Sequence, residues 1–228
     1  TLHYIFIFDS SFVIFLLMIP PRPPSTLFPY TTLFRSTLQT VKNALIIPLD
    51  EYDQDTFIEA SIESVSRLID EYTGRRFYAT TETRYYSATD SDLVYVDDLL
   101  TVTTLKTDDN EDGTFEITWT TSDYHLMPFN AATNVKPYTW IETSGYGDYS
   151  FPVGVKKGIE IAGSFGYCTT ANMPKPVAEA CKIQSIRLFK RKNAPFGVIG
   201  GGEMQESMII PDLDPDVKFL LSAYLRRA

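Results

Sequence analysis

The residue types that most often carry acid–base or nucleophilic chemistry are scarce in this sequence. His125, within "DYHLMP", is the only histidine after residue 36, so a Ser-His-Asp or Cys-His site would depend on it alone, and no such motif surrounds it. Cys168 and Cys181 lack CxxC spacing and nearby histidines, whereas structural zinc takes four such ligands. The sequence therefore predicts a surface histidine and two buried, reduced thiols.

Two further segments resemble ligand-binding loops only superficially. The glycine run "FGVIGGGEM" lacks the GK[ST] of a phosphate-binding loop and precedes acidic residues, so we expect a mobile loop. The acidic turns "DSD" (90–92) and "DDNEDG" (108–113) resemble calcium loops in charge only, and we interpret them as solvated turns that lack the alternation and the spacing of a twelve-residue calcium loop. We therefore predict no catalytic residues, no metal site and no cofactor.

Composition and charge describe an ordinary globular protein with an acidic surface. The chain has 228 residues, of which 44% are hydrophobic and 21% charged, enough for a substantial core without disulfide or metal staples. The net charge of −9 disfavours general nucleic-acid binding, because an acidic surface repels phosphates. The basic clusters "FKRKN" (189–193) and "LRRA" (225–228) lie where we expect helix ends, and cations there favour the helix dipole.

The amino-terminal segment differs in character from the rest of the chain. Its apolar run, residues 4–19, contains Asp9 and is shorter than the ~20 residues that a membrane-spanning helix needs. Residues 26–36, "TLFPYTTLFRS", resemble a common short-read sequencing adapter translated in frame. We therefore predict that residues 1–36 are non-native, either disordered or an isolated hydrophobic helix, and that residues 37–228 form a single domain. A membrane-anchored surface protein is the alternative if residues 1–25 are native.

The first part of this domain is predicted to be helical. Residues 37–54 predict a short helix or turn, and a longer amphipathic helix follows, capped by Asp53 or Asp55 and ended by Gly74. Its apolar residues recur at steps of three and four along one face: Ile58, Ile62, Val65, Ile69 and Tyr72.

The following stretch, residues 75–167, predicts several short strands. In "TFEITWT", Phe115, Ile117 and Trp119 alternate with polar residues, and segments such as "DLVYVD" and "VTTLKT" have β propensity between turn signals. The alternation favours an antiparallel sheet or a small β-sandwich.

The chain then returns to helix over residues 173–228. One helix begins at Pro174 and Pro176 and ends before "NAPFG", and a closing helix begins with Asp214 as cap and Pro215 at its first position, with arginines in its last turn. We therefore predict an α+β fold: a small helical bundle, residues 37–74 and 173–228, with an inserted antiparallel sheet or sandwich.

Three segments in this order resemble the head–tail connector (adaptor, head-completion) proteins of tailed phages. They are "IDEYTGRRF", "GSFGY…MPKPVAEAC" and "FGVIGGGE…IIPDLDPDVKFLLSAYLRR". The resemblance implies a structural virion protein that forms a ring under the portal, extends the DNA channel and provides a platform for the stopper or tail. It also implies a place in the neck of the virion and in the host cytoplasm during assembly.

The implied partners are the portal protein, a stopper or tail-completion protein and further copies of the chain. DNA is expected to pass through an acidic lumen without specific binding. We expect the contacts in Gly197–Glu203 and Leu213–Arg227, with one face of the last helix packed in the core. The candidate contact residues are Phe196, Gly197, Gly200, Gly201, Gly202, Glu203, Lys218, Arg226 and Arg227.

A second class of function also fits the sequence. The tyrosine-rich segments "RYYSAT", "YTWIET" and "GYGDYSF" supply aromatic residues of the kind that interfaces use. They predict, as the alternative, a phage baseplate or fibre-associated module that recognises a receptor or another tail protein.

Overall fold

The computed structural model describes residues 35–191 and 213–226, which form four α-helices and a six-stranded sheet. In chain order the elements are α1 (Leu38–Leu45), α2 (Asp55–Thr73), β1 (Thr80–Tyr86), β2 (Leu93–Thr107), β3 (Ile117–Trp119), β4 (Tyr124–Met127), β5 (Tyr138–Thr143), β6 (Ile159–Phe165), α3 (Lys175–Arg191) and α4 (Pro215–Leu221). Short 3-10 turns lie at Thr170–Asn172 and Ser222–Tyr224. The predicted α+β class, with a sheet inserted between helices, is confirmed.

The helices pack around the predicted apolar face of α2. Ile58, Ile62, Val65 and Ile69 are each at most 1% exposed, and they contact buried residues of α3 and α4, which include Cys181. Burial of each such aliphatic side chain contributes about 1.5–3 kcal/mol. The helices therefore share one core that depends on all of them.

The two ends of α2 differ in how well the sequence predicted them. Gly74 adopts the left-handed conformation, and its N–H bonds the carbonyls of the last turn, as predicted. The predicted amino-terminal cap is wrong, since Gln54 occupies that position and makes no side-chain cap bond. Asp55 is instead the first helical residue, and its carboxylate pairs at 2.8 Å with the ammonium of buried Lys42.

All pairings within the sheet are antiparallel, in the order β1-β6-β2-β5-β4, with β3 pairing β2 separately. The two segments predicted as separate strands, "DLVYVD" and "VTTLKT", belong to one strand of fifteen residues, β2. Its register shifts after Tyr95 and again after Leu99 and Val102, so that β5 pairs its first part and β6 and β3 its second. Bulges of this kind bend a strand, and the sheet closes over its own apolar core.

The sheet and the helices meet where β6 ends. The Gly166 N–H donates to the Asp98 carbonyl and the Tyr167 N–H to the Arg76 carbonyl, both at 2.7 Å. Behind this junction the rings of Phe77, Tyr167 and Tyr224 pack against one another, with centroids 5.2–5.9 Å apart. The carboxyl-terminal segment is thereby held against both parts of the fold.

The end of the last helix differs from the prediction. The Asp214 carboxylate accepts the Asp216 N–H, and Pro215 is the first helical residue, as expected. However, α4 ends at Leu221, so the prediction of arginines in its last turn is wrong. Arg226 lies beyond the following 3-10 turn, and its backbone N–H donates to the Thr73 carbonyl at 2.9 Å.

The described part of the chain begins inside the segment predicted to be non-native. Arg35 and Ser36 are both buried against the domain. The origin of residues 1–36 and the boundary at residue 37 stay predictions. Among the helices of residues 35–191 and 213–226, none has the length and apolarity to cross a membrane.

Candidate functional site

The last helix, α4, has one buried and one exposed face. Val217 and Leu221 are fully buried among residues of α2 and α3, whereas Lys218 is exposed and Phe219 is 79% exposed. Arg187 of α3 forms an ion pair with the capping residue Asp214, which fixes the start of α4. Core packing and an outward contact surface are thus both available on this short helix.

The other predicted contact residues divide between two places. Phe196, Gly197, Gly200, Gly201, Gly202 and Glu203 lie outside the described residues, as does Arg227. Arg226 is described, and it forms an ion pair with Asp97 of β2, with its Nη1 2.8 Å from the carboxylate Oδ1. The structure therefore assigns Arg226 to a different surface, at the junction of the helices and the sheet.

That surface is a cleft of about 730 Å³ between the end of α2, the start of β1 and the first bend of β2. We call it the arginine cleft, because five arginines line it: Arg67, Arg75, Arg76, Arg84 and Arg226. Its acidic lining residues are Asp70, Glu71, Glu82, Asp97 and Asp98. In a chain of net charge −9, this is a region where basic and acidic groups balance.

Asp97 is held by two guanidinium groups. Arg84 Nη1 lies 2.7 Å from its Oδ2, and Arg226 bonds its other oxygen. Although partial burial acts against ionisation, the hydrogen bond from Arg226 and the charge of Arg84 hold the pKa of Asp97 below its usual value. This carboxylate therefore ties the carboxyl-terminal segment to the sheet.

Three of the five arginines, Arg67, Arg76 and Arg226, reach the solvent at the rim, whereas Arg75 and Arg84 are less exposed at 17% and 21%. Side-chain exposure is 41% for Arg67, 44% for Arg76 and 45% for Arg226, but 19% for Asp70 and 7% for Asp98. Because a guanidinium has five N–H donors, an arginine that already bonds one carboxylate keeps donors for another. The rim of the cleft can therefore bind carboxylate or phosphate oxygens.

A buried ion pair lies behind this rim. The guanidinium of Arg35, fully covered, pairs with Asp70 and lies 5.7 Å from the ring centroids of Phe77 and Tyr78. Burial raises the pKa of Asp70 and lowers that of Arg35, because it disfavours both charged forms. The pair holds residue 35 against the end of α2.

The residues that could suggest catalysis are not assembled into a site within the described residues. His125 is exposed on β4, and its ring contacts Phe129 edge-on with centroids 5.5 Å apart. Cys168 and Cys181 are buried and unpaired with each other, as predicted. Burial raises the pKa of Cys168 to about 11 and also raises that of Cys181.

We expect neither thiol to react with a disulfide reagent such as DTNB at pH 8 while the protein is folded. Both groups are covered, and both are protonated at that pH, whereas only an accessible thiolate is a nucleophile. In denaturant both should react at once. The measurement is the absorbance of released thiolate with and without urea, and fast labelling of one equivalent in buffer would contradict the described burial.

The turn between β2 and β3 contains an arrangement that the sequence interpretation missed. The prediction that this turn lacks the alternation of a calcium loop is wrong, since Asp108, Asn110 and Asp112 alternate. Carboxylate oxygens of Asp108, Asp112 and Glu116 lie within 4.8 Å of one another. The Asp108 carboxylate accepts the N–H groups of Asn110, Glu111 and Gly113 at 2.8–3.2 Å. These bonds fix the shape of the turn, and the Asp108 carboxylate is already hydrogen-bonded to backbone N–H groups of the turn.

The arginine cleft was likewise not predicted. Arg75 and Arg76 lie in "YTGRR", directly after the end of α2, within a segment that resembles the connector proteins. Nothing in the local sequence shows that Arg84, Asp97 and Arg226 join them, since Arg226 and Asp97 are 129 residues apart. The cleft depends on the tertiary fold.

Over residues 35–191 and 213–226 the chain is an α+β protein with a charged surface cleft and without an assembled catalytic centre. A family model described as "Phage gp6-like head-tail connector protein" matches residues 35–123. These residues include α1, α2 and the first three strands. The match confirms the resemblance to phage head–tail connector proteins that the sequence predicted.

Solved structures extend the likeness beyond this match. A chain from the neck of an empty GTA (gene transfer agent) particle, computed with C6 symmetry, is 14% identical, with a TM-score of 0.53 over 84% of this chain and 89% of that chain. A chain from the neck of a native GTA particle, computed with C12 symmetry, is 17% identical, with a TM-score of 0.50 over 89% and 93%. At these identities the likeness establishes a shared fold. No curated protein matches the chain.

Proposed function

We propose that this chain is a head–tail connector of a tailed phage or a related particle. In this proposal it forms a ring under the portal, extends the DNA channel and provides a platform for a stopper or for the tail. It resides in the neck of the virion and, during assembly, in the host cytoplasm. Its role is structural, with no cofactor.

The observation that carries the proposal is the family match over residues 35–123, joined to a fold shared along most of the chain with proteins of particle necks. Both neck structures were computed with rotational symmetry, C6 or C12, which supports a ring for this chain as well. The net charge of −9 suits a channel through which DNA slides without specific binding.

The exposed face of α4 is the described surface best suited to a contact with the portal or with the next ring. Phe219 places an aromatic ring in solvent beside the charge of Lys218, on a helix whose opposite face is locked in the core. Exposed aromatic residues on a rigid element are frequent anchors of interfaces. The predicted contacts in Gly197–Glu203 remain part of the proposal.

Electron microscopy of the full chain mixed with the portal protein encoded beside it tests this function. A ring of this protein docked beneath the portal is the expected image. Folded protein that leaves a competent portal bare would reject the connector role. The alternative, a receptor-recognising module of the baseplate or fibre, would then rest on exposed aromatics such as Tyr146 and Tyr95, which are 98% and 68% exposed.

Replacement of both Lys218 by Glu and Phe219 by Ser is expected to weaken docking on the portal about tenfold or more, because it removes an aromatic anchor and reverses a charge. Since both side chains are exposed, the melting temperature should stay within a few degrees of the parent. The matched control is Tyr146→Ser, which removes an aromatic ring from a distant turn. Docking is measured by co-sedimentation with portal rings, and equal losses for both variants would argue against a role for α4.

A further inference from the structure

We propose that the arginine cleft of one copy of this protein binds the acidic turn, residues 108–116, of a neighbouring copy. This contact rests on the proposed ring, and it assigns an electrostatic interface between adjacent subunits. The carboxylates of the turn would meet the guanidinium groups of Arg67, Arg76 and Arg226 at the rim of the cleft.

The acidic turn is a compact source of negative charge. It has five carboxylates within nine residues and no basic residue: Asp108, Asp109, Glu111, Asp112 and Glu116. All of them except Asp108 are exposed. Asp108 fixes the backbone of the turn, and the Thr114 N–H donates to Asp112. The hydrogen bonds described within the turn do not involve the carboxylates of Asp109 and Glu111. Hydrogen bonds to Asp108 thus fix the backbone of the turn, while its other carboxylates are exposed to solvent.

The turn and the cleft lie at opposite ends of β6. The Asp108 N–H donates to the Gly158 carbonyl just before this strand, and the Gly166 N–H donates to Asp98 of the cleft just after it. The seven residues of β6 separate these points by roughly 23 Å, at ~3.3 Å per residue. The turn of a chain is therefore far from the end of its own cleft that contains Arg76, whose carbonyl accepts the Tyr167 N–H just after β6. Complementary surfaces at opposite ends of a subunit form the head-to-tail contact that closes rings.

The charges in the cleft favour a small carboxylate-bearing segment over DNA. The cleft also contains Asp97, Asp98 and Glu82, and these carboxylates would repel the continuous charge of a phosphate backbone. A turn offers a few carboxylates that can each accept bonds from a guanidinium fork. The cavity of about 730 Å³ admits the tip of a turn, whereas a duplex meets only the rim.

Charge reversal of each side tests the pairing in the full chain. Arg76→Glu changes the cleft, since Arg76 is 44% exposed and its only described ion pair is with Glu82 at 3.4 Å. Asp109→Arg with Glu111→Arg changes the turn, and a third variant combines all three substitutions. The matched controls, Lys190→Glu and Asp148→Arg, reverse exposed charges on the end of α3 and in another turn.

Self-association is measured by sedimentation velocity at low and high salt, and rings on the portal are counted by electron microscopy. Each reversal should lower the association constant about tenfold or more, the combined variant should recover most of that loss, and salt should weaken the parent. Reversals that behave like the controls overturn the proposal, as does a parent that stays monomeric both alone and with the portal.

The outcomes separate this contact from the proposed function. Rings that form equally well with every variant leave the connector role intact and reject the contact. Charge-dependent self-association with no ring on the portal supports the contact and rejects the connector role. If Arg76→Glu weakens retention of a DNA duplex in a mobility shift assay and leaves self-association unchanged, the cleft serves nucleic acid and the contact is rejected.

Discussion

Replacement of Gly166 by Ala, which adds a single methyl group, is expected to lower the free energy of unfolding by at least about 3 kcal/mol. Gly166 has φ = +142°, a conformation that residues with a Cβ rarely adopt. A Cβ built there would lie well under 3.0 Å from the carbonyl group of Tyr78, which is backbone and cannot rotate away. Its N–H also carries the bond to Asp98 that joins β6 to the cleft.

Urea unfolding followed by circular dichroism measures this effect. The matched control is Gly145→Ala, because a Cβ at Gly145 has no heavy atom within 4 Å and its φ is not positive. We expect the control to stay within about 0.5 kcal/mol of the parent. A loss below about 1 kcal/mol for Gly166→Ala would mean that the chain after β6 can move away from Tyr78, which precedes β1. The junction of sheet and helices would then be looser than described.

The features of α2 that depend on local sequence were predicted, and those that depend on distant residues were not. The apolar face of α2 was predicted residue by residue, because the 3.6-residue period of a helix is written within nineteen consecutive residues. Its end at Gly74 was predicted for the same reason, as the left-handed cap is a local property of glycine. The buried Lys42 was not, since its partner Asp55 follows thirteen residues later.

The sheet was predicted in kind but not in arrangement. Strand β2 is continuous because β5 pairs its first part and β6 its second. The local sequence around its bends instead predicts two separate strands. Gly163 allows the close approach of β6 to Thr101 next to one such register shift, which no local pattern indicates. Strand order and bulges depend on partners distant in sequence, so alternation alone could not determine them.

The candidate contact surfaces show the same division. The exposed face of α4 follows from helical periodicity once Val217 and Leu221 are placed in the core. The arginine cleft does not, because its members come from α2, β1, β2 and the carboxyl-terminal segment, and they meet only through the junction at Gly166. Sequence reasoning found Arg226 and assigned it to the last turn of a helix, whereas its actual partners are Asp97 and Thr73.

Replacement of Arg35 by Ala is expected to lower the free energy of unfolding by about 3 kcal/mol, because it leaves the largely buried carboxylate of Asp70 without its buried partner. Arg67 Nη1, 3.3 Å from Asp70, retains part of the compensation, which keeps the loss at the low end of the range for broken buried pairs. The double variant Arg35→Ala, Asp70→Asn should be less destabilised than the sum of the single variants.

The stability lost in Arg35→Ala should depend on pH, whereas a loss caused by packing alone would not. Burial raises the pKa of Asp70, and loss of the Arg35 charge raises it further, so the folded variant binds a proton more readily than the unfolded chain. The cost of Arg35→Ala is therefore fully present above the folded pKa of Asp70 and shrinks as the pH falls through it. Urea unfolding of both proteins at pH 7 and near pH 4 measures the difference.

This variant also tests the predicted domain boundary at residue 37. If Arg35 contributes as its burial indicates, a chain that begins at Thr37 should lose the same stability as Arg35→Ala, and Arg35 belongs to the folded unit whatever the origin of the residues before it. If Arg35→Ala matches the parent at both pH values, Asp70 is satisfied without it, and residues 37–228 are sufficient for the domain, as the sequence predicts.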